Sequence, residues 1–421
     1  MMNPTELLQA LGEEEHFEEV ICRGWQESLS SIPDSLPIFL QPDQIRESCE
    51  WGALESEDAA PMIEVAERIA DSPALLQLFW HCHRLWSDDN DYRRFAEWPV
   101  LENSLGDKCG VFYLLVILDA ARTAVELHRK SGLPEKVTRE TCSDIRIARN
   151  RYASITGGRL GAELRLMGWF RIHAWGWLFR LGRLQYIANP FNGKIKVYKH
   201  RHTGETLALN EEGIQFTGEG FVDGALGKFD EKDGWTSRWC EDDEQITASP
   251  ASPFGMAVKQ EVTLKKPDWE LRLQPGDQVL AMHIPEGKDM TVEDCGASMQ
   301  QANEFFPQYF PERPFKALVC SSWIFNTQLE EILGPQSNLV RYMQELYLYP
   351  NRSNGKAGFY FVWYTDDVDP KTAPRNTRLR RAYLDYLERG IPIRNGAMFF
   401  LPEHLDSFGT QYYRNQPGPA V

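Results

Sequence analysis

Polar side chains follow two short apolar runs in the second half of the sequence. His283 lies near the end of the first run, where a neutral imidazole could take the proton of an attacking amine or serve only as a hydrogen-bonded structural histidine. Ser321, Ser322 and Trp323 follow the second run. The two hydroxyls could polarise a reacting carbonyl, although serines at such a position also cap turns. These residue types indicate proton transfer and carbonyl chemistry, provided that the fold brings the two runs together.

The segment between the two runs predicts a helix that joins two parallel strands. Residues 279–284 form the first run, which Pro285 closes, and residues 315–320 form the second. Thr291 opens the helix, and its apolar residues recur at spacings of three and four: Val292, Cys295, Met299, Ala302 and Phe306. Strand, helix and strand in this order predict a βαβ unit. Ligands bind at the carboxyl ends of such strands, and anions favour the N-terminus of the helix.

The composition restricts the class of protein. The chain has 421 residues and a net charge of −16, which argues against binding to nucleic acid or to an anionic membrane. Its N-terminal segment is acidic without an apolar signal core, and the longest apolar run, residues 111–118, is too short to span a bilayer. The 8 cysteines contain no C-x-x-C pair, as in reduced proteins. We therefore expect a cytoplasmic protein with no nucleic acid partner and no membrane span.

The sequence lacks the common motifs of metalloenzymes, nucleotide-binding proteins and serine hydrolases. His200 and His202 could place two imidazoles on one face of a strand as metal ligands, but no third ligand is spaced to join them, so we expect no metal. P-loop, G-x-G-x-x-G, G-x-S-x-G and H-E-x-x-H motifs do not occur. Asp119, Glu126 and His128 follow the most apolar stretch of the chain, where they could line a pocket or mark the exit of a helix from the core.

Two regions of different periodicity divide the chain. Residues 1–158 predict helices almost throughout, with a helix over residues 109–128 as the buried centre. Residues 161–186 predict a long helix that leads into a first strand around residues 184–187. Beyond it the apolar period changes to two, which predicts antiparallel strands, then the βαβ unit and a later strand over residues 359–364.

This order of elements is that expected of a GNAT-type acyltransferase domain. The segments GDQVLAMHIPEGKDMTVEDC, FFPQYFPERPFKALVCSSWIF and GPQSNLVRY further resemble the bacterial acyltransferase domain-containing proteins of two-part construction. The resemblance implies an α+β fold with an all-α N-terminal domain over residues 1–158. A GNAT-like mixed-sheet α/β acyltransferase domain would follow over residues 159–421. It also implies a CoA thioester as the donor, either acetyl-CoA or a longer acyl-CoA.

With a CoA thioester as donor, residues at the strand ends have candidate chemical roles. His283 would act as the general base, while Ser321 or Ser322 would polarise the thioester carbonyl or protonate the departing thiolate. The CoA would be held by residues around the strand ends and the helix start: Ile284, Gly287, Lys288, Thr291, Trp323, Asn326 and Arg341. Three tyrosines are further candidate general acids: Tyr342, Tyr347 and Tyr349.

The sequence therefore predicts an acyl-CoA-dependent N-acyltransferase. It would move the acyl group by direct attack to an amine of a small-molecule or peptide acceptor whose identity the sequence does not give. Residues 285–290 contain one glycine, where most GNAT proteins carry a glycine-rich pyrophosphate loop. Two alternatives consequently stay open: a GNAT-like ligand-binding or scaffold protein without catalysis, and transfer from a carrier-protein thioester. A homodimer is compatible with each of them.

Overall fold

Two units of different construction make up the chain. In the computed structural model, which describes residues 1–88 and 92–417, the first unit comprises Met1–Leu181 together with Pro285–Gly287. The second unit comprises Gly182–Ile284 and the described chain from Lys288 onward. Each unit has a hydrophobic core of its own.

The first unit is built almost entirely from helices. They are α1 (Pro4–Leu11), α2 (Glu18–Ile21), α3 (Trp25–Ser30), α4 (Pro42–Trp51), α5 (Ala59–Asp71), α6 (Pro73–Asp88), α7 (Glu102–Leu105), α8 (Cys109–Lys130), α9 (Glu135–Cys142), α10 (Asp144–Thr156) and α11 (Met167–Ala174), followed by strand β1 (Leu178–Leu181). Helix α8 forms the centre of this unit, since every residue from Cys109 to Ala121 is buried. The predicted helix over residues 109–128 is therefore confirmed.

The long helix predicted over residues 161–186 is wrong. Helix α11 has only 8 residues, and a short 3₁₀ turn at Leu164–Leu166 precedes it. Gly176 and Gly182 both adopt left-handed backbone angles, with φ of 62° and 70°. Such angles end a right-handed helix and cost glycine little, so the apolar residues between the two glycines form strand β1 instead.

The second unit combines several sheets with five helices. Its strands are β2 (Leu184–Pro190), β3 (Ile195–His200), β4 (Thr206–Asn210), β5 (Gln215–Phe216), β6 (Trp235–Thr236), β7 (Trp239–Glu241), β8 (Gln245–Ala248), β9 (Pro250–Ala251), β10 (Val262–Lys265), β11 (Trp269–Leu273), β12 (Gln278–His283), β13 (Leu318–Ser322), β14 (Tyr347–Pro350) and β15 (Gly396–Phe400). Its helices are α12 (Val292–Tyr309), α13 (Gln328–Leu333), α14 (Asn338–Gln344), α15 (Phe359–Trp363) and α16 (Arg378–Glu388). The main sheet of this unit has the strand order β2-β12-β13-β15-β14.

The predicted βαβ unit is confirmed at the centre of the main sheet. Strands β12 and β13 are parallel, and α12 lies between them in the chain. Helix α12 packs on the face that carries Tyr186, whose hydroxyl lies 3.0 Å from the hydroxyl of Ser298. Thr291 caps the helix, because its side-chain oxygen accepts the N–H of Asp294 at 3.1 Å. Antiparallel strands flank the parallel pair on both sides, so the sheet is mixed.

A second sheet, of strand order β11-β3-β4-β9, covers part of the opposite face of the main sheet. Tyr347 of β14 connects the two sheets. Its hydroxyl donates to the carbonyl of Ala251 at 2.6 Å and accepts the N–H of Ala208 at 3.2 Å. The ring is buried, so neither backbone group can turn to water if the hydroxyl is lost.

Replacing Tyr347 with phenylalanine should therefore destabilise the protein by about 1–3 kcal/mol, the usual cost of leaving buried polar groups unpaired. Urea denaturation of the two proteins measures this difference. Tyr309→Phe is the matched control, since the Tyr309 hydroxyl bonds to no residue that the structure describes. Equal midpoints for wild type and Tyr347→Phe would show that the two sheets do not depend on this hydroxyl.

Helices α13, α15 and α16 enclose a smaller core in the same unit. Residues 359–364 belong to it, and the strand predicted for them is wrong, because Phe359–Trp363 form helix α15. Phe359 and Val362 are both buried in this core. Positions three apart share a face of a helix but lie on opposite faces of a strand, so only the helix buries both. The guanidinium of Arg380 donates two hydrogen bonds to the carbonyl of Val362, at 3.0 and 2.6 Å.

Candidate functional site

The parallel strands β12 and β13 separate at their carboxyl ends. Only two residue pairs between them are in register, and the last is Ala281 with Val319. Beyond this pair, β12 stays paired with β2 as far as His283, and β13 stays paired with β15 as far as Ser322. Each strand thus keeps its outer neighbour while a gap opens between the two. Backbone groups that face this gap are not used in the ladder between β12 and β13.

His283 and Ser321 project from the same face of the main sheet. Side chains alternate along a strand, and residues directly opposite each other share a face. Ala281 and Val319 are opposite, so the residues two positions beyond each of them project from the same face. Helix α12 covers the other face. We call the face that carries His283 and Ser321 the site face.

His283 is half-buried at the last position of β12, opposite Gln185 of β2. Val279 precedes it on the site face and is only 1% exposed, whereas Ala281 and His283 are both half-buried. Exposure on this face therefore increases toward the end of the strand. A half-buried imidazole at this point can contact a ligand that enters the gap.

Ser321 is exposed and receives two hydrogen bonds from side-chain amides. Asn351 donates from Nδ2 to the Ser321 Oγ at 2.5 Å, and Asn395 donates to the same oxygen at 3.3 Å. Asn351 follows the end of β14, and Asn395 precedes the start of β15. These two strands are antiparallel, so both asparagines lie at the edge of the sheet where β13 ends. The arrangement holds a serine hydroxyl in a defined position beside the gap.

Ser322 and Trp323 continue from β13 into a turn. The Ser322 oxygen accepts the N–H of Ile324 at 3.5 Å, which is the capping contact weighed as the alternative to a chemical role. Trp323 stacks on Phe361, with ring centroids 6.1 Å apart and an angle of 19° between the planes. Gly358 lies under the indole, and a Cβ at that position would come within 2.7 Å of the ring.

Residues predicted to hold the CoA pyrophosphate lie between β12 and α12. Ile284 is half-buried after β12, and Lys288 is exposed. Gly287 has a φ of 136° and belongs to the first unit. Thr291 uses its side chain to cap α12, whose first turn also carries two acidic residues. An anion at this helix start would meet the helix dipole and Lys288, but also the two carboxylates.

The two remaining predicted binding residues lie beyond β13. Asn326 is 1% exposed, and its side chain accepts the N–H of Gln328 at 3.1 Å, so it forms the turn that leads into α13. Arg341 is exposed on α14. Its guanidinium makes no ion pair with any residue in the described part of the chain, and it is available to an anion.

The three candidate tyrosines are buried in the second unit. Tyr342, Tyr347 and Tyr349 are 0%, 1% and 5% exposed, and burial raises the pKa of each phenol. A phenol with a raised pKa and no exposed surface is a poor proton donor to a ligand. Tyr349 shares the site face with Ser321, because both lie opposite Ala397 of β15.

Asn351 and Asn395 were not among the residues predicted from the sequence. They come from the 30th and 74th positions after Ser321, and no local spacing links them to it. One signal was present: Asn351 follows an apolar segment that ends in Pro350, and Asn395 precedes Gly396 and the apolar residues 397–401. Assigning both segments to neighbouring strands would have placed the two amides at one edge.

The described residues contain neither a cluster of metal ligands nor a membrane-spanning helix. No group of three or more His, Cys, Asp or Glu side chains in residues 1–88 and 92–417 could hold a metal ion. Over the same residues, no helix has the length and apolar composition of a membrane span.

The sequence matches two described domains in succession. Residues 43–180 match the N-acyltransferase N-terminal domain, and residues 178–400 match the GNAT-like C-terminal domain. No protein of curated function matches the chain.

Several solved acyltransferase structures share this fold. A mutant acyltransferase in complex with octanoyl-CoA is 19% identical, with a TM-score of 0.63 over 95% of this chain and 99% of its own. An acyltransferase in complex with CoA and 10C-teicoplanin is 18% identical, with a TM-score of 0.64 over 95% and 99%. A third, in complex with decanoyl-CoA and teicoplanin, is 19% identical, with a TM-score of 0.63 over 95% and 99%. At these identities the likeness establishes the fold.

Proposed function

The chain belongs to the acyltransferase family with a GNAT-like C-terminal domain, here preceded by an N-acyltransferase N-terminal domain, and we propose that it transfers an acyl group from acyl-CoA to an amine. The observation that carries this proposal is the gap between β12 and β13, which opens after the pair Ala281 and Val319. A gap between parallel strands offers unpaired backbone N–H and C=O groups to the amide-rich pantetheine arm of CoA. His283 and Ser321 border the gap on one face, where the thioester would lie.

The reaction that these residues support is direct attack of the amine on the thioester carbonyl. The new C–N bond forms as the C–S bond breaks, and His283 takes the proton that the amine loses. Backbone amides near Ile284 would hold the carbonyl oxygen as it gains negative charge. Ser321 donates a hydrogen bond to the departing thiolate, which then takes a proton from solvent to become the free thiol of CoA.

The CoA nucleotide would lie toward the start of α12. Lys288 is exposed there and Arg341 is exposed on α14, so both can meet phosphate oxygens, Arg341 as a bidentate donor. Trp323 lies half-buried beyond the end of β13, where its indole stacks on Phe361. We do not assign Asn326 a contact with CoA, since its side chain is buried in the turn before α13.

Ligands of the structural relatives support the choice of donor and acceptor. One of the solved acyltransferases contains octanoyl-CoA and another contains decanoyl-CoA, so we propose a medium-chain acyl-CoA as donor rather than acetyl-CoA alone. Two of the relatives contain 10C-teicoplanin or teicoplanin. For this chain we propose an amine on a small molecule or peptide as acceptor.

Transfer from a carrier-protein thioester is the second candidate. Residues 285–290 hold one glycine, and Glu293 and Asp294 lie in the first turn of α12. Both features weaken the binding of a pyrophosphate at this helix start. A carrier protein holds its pantetheine arm through a phosphodiester and has no pyrophosphate, so residues 285–290 would not have to bind one.

Acyl transfer should be detected when the purified protein is given acyl-CoA donors of two to ten carbons and a panel of primary amines. We expect release of free CoA that depends on the amine, with the N-acyl product identified by mass spectrometry. Cys22 and Cys240 are exposed and would react with a thiol reagent, so the protein alone sets the baseline. Turnover with acyl-carrier protein but not with acyl-CoA would select the second candidate. Absence of both turnover and CoA binding would contradict the proposal.

A further inference from the structure

The hydroxyl of Ser321 has both of its acceptor positions occupied. A serine oxygen has two lone pairs and one O–H. Asn351 and Asn395 each donate an N–H to this oxygen, at 2.5 and 3.3 Å. The O–H can then act only as a donor, and no residue in the described chain accepts it.

The direction of the Asn351 amide is fixed by a second contact. Its Oδ1 accepts the backbone N–H of Arg352 at 2.9 Å, so its Nδ2 must face Ser321. An amide turned the other way would lose the Arg352 hydrogen bond and place two N–H donors, its own and that of the Arg352 backbone, against each other. The chain therefore selects the donor end of this amide for Ser321.

Asn395 is held in place by the strand that it precedes. Gly396 pairs with Ser322 of β13 and with Pro350 of β14. A Cβ at Gly396 would lie 1.9 Å from the carbonyl oxygen of Phe325, so only glycine permits this close approach of the backbones. The same approach brings the Asn395 side chain onto the site face beside Ser321.

We infer that Asn351 and Asn395 are positioning residues that direct the Ser321 O–H into the gap between β12 and β13. Both asparagines approach Ser321 from the side of β14 and β15, and β12 lies on the other side of β13. The remaining O–H of a tetrahedral oxygen points away from its two donors, and thus toward β12. This inference rests on the proposed function, because the group that accepts the O–H would be the sulfur of the departing thiolate.

The arrangement explains how serine can assist without losing its proton. A serine hydroxyl is far less acidic than a thiol, so it stabilises the thiolate as a hydrogen-bond donor rather than by proton transfer. A hydroxyl that rotates freely would spend much of its time donating to water. Two amide donors remove that freedom before the substrate binds, which is preorganisation of a donor toward developing charge.

Asn351→Asp tests the inference more sharply than Asn351→Ala. A carboxylate has no N–H and only accepts, so the Ser321 O–H should turn toward it and away from the gap. We expect kcat to fall about 10- to 100-fold, as for a lost hydrogen bond to a charged group, with little change in KM for the acyl-CoA. Asn351→Ala should lower kcat less than Asn351→Asp does. Without the asparagine amide, the free lone pair of the Ser321 oxygen can accept a hydrogen bond from water, and the O–H still donates into the gap. If the Asn351 amide had only a structural role, Asn351→Ala would lower kcat at least as much as Asn351→Asp.

The double-mutant cycle with Ser321→Ala separates positioning from folding. In the Ser321→Ala background, Asn351→Asp should cause no further loss of kcat, since the hydroxyl that it redirects is gone. Asn354→Asp is the matched control in the same loop, because the Asn354 side chain accepts the N–H of Lys356 and does not contact Ser321. We expect this control to keep the wild-type kcat, and thermal unfolding checks that each variant folds.

Binding of CoA and desulfo-CoA gives a readout that does not need turnover. At a pH high enough to ionise the thiol of CoA, the resulting thiolate can accept the Ser321 O–H as a charged acceptor. Calorimetry should find that wild type binds CoA about tenfold more tightly than desulfo-CoA, and that Asn351→Asp loses this preference.

The possible outcomes separate the inference from the function on which it rests. Suppose that wild type transfers acyl groups. The inference is then overturned, and the function stands, if Asn351→Asp has the wild-type kcat, or if Asn351→Asp lowers kcat by the same factor in the Ser321→Ala background as in wild type. If wild type neither turns over nor binds CoA, the proposed function fails and the inference fails with it.

Discussion

Replacing His283 with alanine should lower kcat for acyl transfer by about 10²- to 10⁴-fold, the usual contribution of a positioned general base. The residue ends β12 at the edge of the gap and on the same face as Ser321. An attacking amine must lose a proton as its nitrogen bonds to the carbonyl carbon. Without the imidazole that proton can go only to water. Initial rates at saturating acyl-CoA and amine measure the effect.

The pH profile and a matched histidine variant test the same role. Wild-type kcat should rise with pH as the imidazole becomes neutral, and this rise should disappear in His283→Ala. His202→Ala is the control, since His202 is exposed in the turn between β3 and β4. If His283→Ala keeps wild-type turnover at every pH, His283 has no part in the mechanism.

The centre of the fold could be predicted because its determinants are local. Apolar residues at spacings of three and four gave α12, and the two flanking apolar runs gave β12 and β13. Their crossover connection made the strands parallel. The local pattern did not predict the gap between them. Beyond Ala281 and Val319, β12 pairs only with β2 and β13 pairs only with β15, and no periodicity within 279–322 encodes those neighbours.

The asparagines beside Ser321 were missed for a related reason. Asn351 and Asn395 reach Ser321 through the pairing of three strands that are distant in sequence. The strand predicted over residues 359–364 failed differently. Its six-residue apolar and aromatic run suits a strand or a buried helix equally well, and the core with α13 and α16 decides between them.

The acidic and basic residues that follow the apolar part of α8 had two interpretations, a pocket lining or a helix leaving the core. Asp119 is buried, and it accepts hydrogen bonds from His83 Nε2 at 2.9 Å and from Arg122 at 2.5 and 3.1 Å. His83 in turn stacks on Phe39, with ring centroids 3.9 Å apart. Since a carboxylate only accepts, His83 must carry its proton on Nε2. The geometry favours a structural role for Asp119 within the helical unit.

Asp119→Ala should destabilise the protein by about 3–5 kcal/mol, the cost of removing one partner from a buried ion pair. The variant leaves the Arg122 guanidinium and the His83 imidazole without their shared acceptor. Urea denaturation at neutral pH measures the loss. Glu126→Ala is the matched control, because Glu126 also binds Arg122 but its side chain is 51% exposed, and it should cost about 0–1 kcal/mol.

The contribution of Asp119 to the free energy of unfolding should decrease as the pH falls. Burial alone raises the pKa of Asp119, but the hydrogen bonds from His83 and Arg122 outweigh it and the pKa is lowered. A carboxyl whose pKa is lower when folded stabilises the protein above its unfolded pKa of about 3.9, and this stability is lost as the pH falls toward the folded value. The difference between wild type and Asp119→Asn should therefore be constant near neutrality and narrow below about pH 4. A difference that grows on acidification would mean that the buried carboxyl is protonated in the folded protein.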